Sequence, residues 1–111
     1  DTAAREAMVT EDIRIQQAPS VPFGGVYVGW AGYLDVTEQL FGKMRKVHLE
    51  LIETWDGPQS SLIAHFMLNA VSKRTQKAIC MPLLEKWEFK DDKVAAITPF
   101  YYDTHLLSRQ L

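Results

Sequence analysis

One cysteine, Cys80, stands among 111 residues, so no internal disulfide can form and nothing points to an oxidising compartment. A cytoplasmic location is therefore expected. Neither sign of charge is in excess: 12 Lys and Arg face 14 Asp and Glu, a formal net charge of −2. That balance gives no electrostatic basis for nucleic acid or an anionic membrane surface as the main partner. No apolar run approaches the ~20 residues that cross a bilayer as a helix. Also missing are a Gly-x-Ser-x-Gly nucleophile elbow, a phosphate loop ending in Gly-Lys-Ser/Thr and a dinucleotide fingerprint. His48 and His105 have no Cys, Asp or Glu at a spacing that would make a zinc site, so neither a metal nor another cofactor is expected.

What the chain does contain is 47% hydrophobic and 11% aromatic residues, enough to offset the ordering entropy of a folded core. Its length allows one domain over residues 1–111, because two would each be too small to bury a sufficient core.

Residues 1–9 place Ala3, Ala4, Ala7 and Met8 at helical spacing behind Asp1 and Thr2, which predicts a short helix. Glu11 to Gln17 alternates around Ile13 and Ile15 and predicts a half-buried strand. From Ala18 to Gly32 the density of Pro and Gly predicts a shaped loop with a short ribbon at Val26 to Val28. Leu34, Val36, Leu40, Phe41 and Met44 suit a helix from Tyr33 that ends near Gly42, with the glycine as a positive-φ cap. The period then changes. Four strand-like runs, Val47 to Trp55, Leu62 to Ser72, Ala78 to Phe89 and Val94 to Tyr102, are joined by short polar turns that predict antiparallel hairpins. Asp103 to Leu111 closes the chain as a helix. Helices followed by a curved meander make an α+β pattern.

Alternation divides each strand between two faces. In the second run Leu62, Ala64, Phe66, Leu68 and Ala70 share one face, and Ile63, His65, Met67, Asn69 and Val71 share the other. Both are mostly apolar. One suits the domain's interior; the other calls for a partner, most simply a second copy of the chain. In the third run Glu85 is the lone charge on a face with Ile79, Met81, Leu83, Trp87 and Phe89. Pro82 and Pro99 cannot donate to a ladder and are expected at an edge or a bulge.

The segments Pro22-Phe23-Gly24-Gly25, Met81-Pro82-Leu83-Leu84-Glu85-Lys86-Trp87-Glu88-Phe89, Lys93-Val94 and Pro99-Phe100-Tyr101-Tyr102-Asp103-Thr104 together resemble the nuclear transport factor 2-like superfamily. Within it they are most similar to the SnoaL-like, ketosteroid-isomerase-like branch. The resemblance implies a cystatin-type roll, in which a curved, mostly antiparallel (mixed) sheet of about five to six strands packs against N-terminal helices to form a cone. It also implies a longer helix ahead of the equivalent of Asp1, so the usual first helix is expected to be absent or upstream. A small apolar molecule is the expected ligand, in a pocket lined by Ile15, Gln17, Phe66, Leu68, Met81, Leu83, Glu85 and Tyr102, with Tyr27 and Trp30 near the mouth. A bulge at Pro99 would exchange Tyr101 for Tyr102. The resemblance further implies a homodimer through the outward face carrying Ile63, His65 and Met67.

Two departures narrow the chemistry. The epoxide-hydrolase branch brings an Arg and an Asp into the pocket from the second long strand, where this chain has Phe66 and Leu68. Isomerases of the branch place an Asp on the first strand, where this chain has Ile13, Ile15 and Gln17. The fold itself hosts many chemistries and non-catalytic binders.

Glu85, set among apolar neighbours, is the foremost acid/base candidate, because desolvation raises a carboxyl pKa. Such a group suits an isomerase, cyclase or dehydratase, with Gln17 or Tyr102 donating to a developing oxyanion. The competing reading makes Glu85 a structural group that pairs with Lys or Arg or fixes Tyr102 or Trp30, in a protein that binds or assists without chemistry. Asp103 is a second catalytic candidate at the cone mouth, although Asp before Thr at a helix start is first of all an N-cap.

Overall fold

The computed structural model describes residues 1–111. Its elements run α1 (Thr2–Ala7), β1 (Val9–Gln17), β2 (Gly25–Val28), α2 (Gly29–Lys43), β3 (Met44–Gly57), β4 (Ser61–Ser72), β5 (Ala78–Lys90), β6 (Lys93–Tyr101) and α3 (Thr104–Gln110). The six strands form one sheet in the order β2-β1-β6-β5-β4-β3. Every neighbouring pair is antiparallel except β1 and β6, which are parallel. This is the expected α+β cone with a mixed sheet.

Helix α2 begins at Gly29, four residues before the predicted start, and Gly42 lies inside it rather than capping it. The Gly-rich stretch is a sharp strand-to-helix corner. Gly29 takes a left-handed φ of 74°, and a Cβ on Gly32 would stand 2.8 Å from the Tyr27 carbonyl carbon. Only glycine lets α2 lie this close to β2. The corner fixes Tyr27 and Trp30 over the sheet's inner face.

Register shifts bend the sheet: between Arg45 and His48, between Leu51 and Glu53, and between Glu88 and Phe89. The prolines do not create them. Pro82 pairs with Met67 and Pro99 with Glu85 in regular register. Pro82 nonetheless stands at a local edge, since its carbonyl accepts from Tyr102 N at 3.1 Å, just past the end of β6. Alternation along β6 turns the Pro99 nitrogen toward β1, beyond the last registered pair, Ile15 with Ile97. Neither ring removes a needed hydrogen bond.

Two apolar clusters fill the concave side. The first joins Val21 and Phe23 of the loop after β1 to Met44, Leu68, Ala70, Ile79, Met81, Leu83 and Leu107. The second joins Val9, Ile13, Ile15, Val36 and Val94. Leu40 of α2 packs against both.

The β5–β6 hairpin turns on Asp91 and Asp92, whose φ values are 52° and 62°, between the paired Lys90 and Lys93. Two consecutive left-handed residues favour Asn-Gly over Asp-Asp. Asp91→Asn/Asp92→Gly is accordingly expected to raise the unfolding free energy by about 0.5 kcal/mol, as read by urea denaturation.

Candidate functional site

The inner face carries three polar side chains where the two apolar clusters meet: Gln17 of β1, Glu85 of β5 and Tyr101 of β6. Pro99 is the floor between them, since it pairs with Glu85 across one ladder and lies just past Ile97, the partner of Ile15, on the other. Glu85 Oε1 accepts from the Trp87 indole Nε1 at 3.1 Å. Burial pushes the Glu85 carboxyl above its ordinary range, and the Trp87 hydrogen bond opposes this. Lys86 lies at 4.0 Å from Glu88, not from Glu85.

Tyr101 faces inward. Its phenol is raised first by burial and then by the nearby Glu85 charge, while the Gln17 side chain at its hydroxyl lowers it. Its ring meets Phe23 edge-on, with centroids 5.8 Å apart. Gln17 itself is only 4% exposed, and its Oε1 has no hydrogen-bond partner. The sequence reading cast Gln17 as a donor; the atom left free is the acceptor.

An apolar depression of about 160 Å³ opens beside these groups, lined by Arg5, Met8, Val9, Tyr33, Trp87, Val94 and Ile97. Trp87 belongs to both features, as one wall of the depression and as the hydrogen-bond donor to Glu85. Trp30 lies on the first turn of α2, stacked on Tyr33 at 4.9 Å, and the Tyr27 hydroxyl donates to the Phe23 carbonyl at 2.8 Å. Both aromatics pack against the second cluster, and neither lines the depression itself.

Other expected lining residues have different surroundings. Leu68, Met81 and Leu83 are buried in the first cluster beneath Phe23 and Leu107, with Phe66 packed against it, and Ile15 is buried in the second. They form core rather than open wall. Tyr102 is 80% exposed and turns to the outer face, because Tyr101 is the residue in register with Leu83. Asp103 caps α3, its Oδ1 accepting from Leu106 N at 2.9 Å, so its carboxylate is engaged as an N-cap. Tyr33 and Val94, which the sequence assigns to a helix and a strand but not to the pocket, line it. The regular register of Pro99 with Glu85 carries the two-residue period through to Tyr101 and turns it inward.

On the convex side Ile63, His65 and Met67 are half-buried. The His65 ring stacks on Trp55 at 6.3 Å. A groove of about 420 Å³ there is lined by Trp55, His65, Pro82, Leu84, Phe100 and Tyr102. No group of three or more His, Cys, Asp or Glu side chains is placed to hold a metal ion. No helix is long and apolar enough to cross a membrane.

A six-stranded mixed sheet curved around a helix, with an apolar mouth and a few inward polar groups, is the nuclear transport factor 2-like fold, shared by ketosteroid isomerase-like and SnoaL-like proteins. The chain is similar in structure to a nuclear transport factor 2-like protein from Burkholderia pseudomallei, with TM-score 0.86 and 12% identity over 99% of this chain and 84% of that one. It is also similar to TerC co-crystallised with polyporic acid, with TM-score 0.84 and 14% identity over 99% and 85% of the two chains. A protein of ketosteroid isomerase-like fold from Catenulispora acidiphila, in complex with trimethylamine, gives TM-score 0.80 and 9% identity over 98% and 81%. At such identities the likeness is one of fold. No family model matches the chain, and no curated protein matches it in sequence.

Proposed function

We propose that the chain binds a small, largely apolar molecule at the mouth of the cone and that Glu85 moves a proton on it, in an isomerisation, cyclisation or dehydration. The observation that carries this reading is Trp87, which walls the apolar depression and holds the Glu85 carboxyl through Nε1. A molecule against that indole lies next to an acid whose neutral form is favoured by burial. Such a carboxyl changes charge closer to neutrality than an exposed one, which suits a general acid or base. Small molecules in two proteins of this fold, polyporic acid with TerC and trimethylamine with the Catenulispora protein, support the binding half of the proposal.

The test is exchange of the α-protons of acetophenone into D2O, followed by NMR. The parent protein should accelerate exchange, and Glu85→Gln should lower that rate by about 10²–10⁴-fold while still quenching its tryptophan fluorescence with the ketone. Quenching without any accelerated exchange in the parent would favour the second reading, a binding or accessory protein without chemistry. The indole already engaging Glu85 is the observation that favours that alternative.

We further propose a homodimer through the convex face, where Trp55, Leu84 and Phe100 are exposed around Ile63, His65 and Met67. Antiparallel strands that put Trp55, Ile63, Met67, Leu84 and Phe100 on one open sheet face are suited to a second copy. Light scattering should give twice the 12.7 kDa chain mass, with Met67→Lys shifting it toward the monomer; a monomeric parent would remove the proposal. The exposed free thiol of Cys80 fits a reducing, cytoplasmic location.

A further inference from the structure

We infer that Gln17 and Glu85 together form a seat for a hydroxyl group, so that the molecule taken up by the cone carries an alcohol, phenol or enol on its apolar body. This rests on the reading of the cone mouth as a site for an apolar molecule. It is carried by Gln17 Oε1, an acceptor with no partner on a side chain only 4% exposed. Buried polar atoms without partners are uncommon, because water is lost and nothing replaces it. The neighbouring polar groups are matched: Trp87 Nε1 with Glu85 Oε1 at 3.1 Å, and the Tyr27 hydroxyl with the Phe23 carbonyl at 2.8 Å.

The geometry specifies what the missing partner must be. Gln17 and Glu85 flank the strand of Pro99, so their backbones stand about two strand spacings apart, roughly 10 Å, with the Pro99 ring between them. The Tyr101 hydroxyl between them is touched by Gln17 and lies within the field of Glu85. A group entering here has to donate a hydrogen bond to Gln17 Oε1 and can share another with the Glu85 carboxyl. A hydroxyl does both. An ether or a ketone only accepts, and would leave Gln17 Oε1 as it is. The apolar body would rest on Trp87 and Ile97 in the depression, one row outward along the same strands.

Two experiments decide it. The first needs no ligand: Gln17→Met/Tyr101→Phe removes the unpaired acceptor and its neighbour together, and should raise Tm by about 4–8 °C. A fall in Tm for both this variant and Gln17→Met alone would show that the amide is already satisfied in the free protein, and would overturn the seat. The second is a tryptophan-fluorescence titration with 2-naphthol and 2-methoxynaphthalene. The parent should bind the naphthol about tenfold more tightly, and Gln17→Met should erase that preference while keeping the affinity for the ether. Equal affinities in the parent, or a preference for the ether, would overturn the seat and leave the apolar mouth standing. Binding of neither would overturn both.

Discussion

Phe23→Ala should lower the unfolding free energy by about 3–5 kcal/mol, a large share of the roughly 5–15 kcal/mol that holds a domain together. The Phe23 side chain is 0% exposed and packs in the cluster that contains Met81, Leu83 and Leu107. Its walls are strands locked by ladder hydrogen bonds on one side and α3 on the other, so they cannot close the space the ring leaves. The backbone effect is small, because the Phe23 carbonyl that accepts from the Tyr27 hydroxyl remains. The edge contact with Tyr101 is lost as well, which frees the phenol beside Gln17 and Glu85. Urea denaturation reads the change; a drop under about 1 kcal/mol would mean that the loop after β1 collapses into the gap.

The same residue shows where sequence reading reaches its limit. Alternation in β4 and β5 is legible because each side chain on a strand faces opposite its neighbour, and one charge among apolar residues marks Glu85 as unusual before any fold is known. That Leu68, Met81 and Leu83 are sealed beneath Phe23 is a long-range fact with no local signature. The start of β3 at Met44 was hidden for a local reason: Lys46 has a φ of 53° within a register shift, which breaks the two-residue period. Helix α2 was predicted four residues short because glycines read as loop, whereas Gly32 is required by the approach of Tyr27, a contact between elements. The choice of Tyr101 over Tyr102 turned on whether Pro99 disrupts the ladder, and the answer depends on where β1 ends.

The candidate site divides along the same line. Its charged member was visible, since burial of a carboxyl follows from its neighbours on one strand. Its apolar mouth was not, because Met8, Tyr33 and Val94 come from three elements that meet only when β1 pairs in parallel with β6. The unpaired state of Gln17 Oε1 depends on which side chains β6 and β5 bring up beside β1. Function in this fold is thus written in pairs of residues across strands, and the strand order is what a single sequence leaves unstated.

Glu85→Gln should abolish the fall in stability that the parent shows as pH rises above the ordinary carboxylate range. The folded state holds the Glu85 proton more tightly than the unfolded chain does, because burial raises its pKa. Between the unfolded value, about 4.3, and the higher folded value, the native state therefore binds more protons, and stability falls as pH rises through that window. Below the window both states are protonated and the contribution is complete; above it the ionised carboxyl is a fixed cost. Each pKa unit of the difference corresponds to about 1.4 kcal/mol. Glutamine keeps the shape and can still accept from the Trp87 indole without ionising. The variant should be more stable than the parent at neutral pH, with its urea midpoint flat where the parent's declines. Tyr101 adds a separate alkaline limb: its folded pKa is also raised, so stability falls again above pH 10, the ordinary tyrosine value. Tyr101→Phe should remove that limb and leave the acidic one. A parent midpoint that stays level from pH 4 to 8 would place the Glu85 carboxyl in water and withdraw it as the acid of the site.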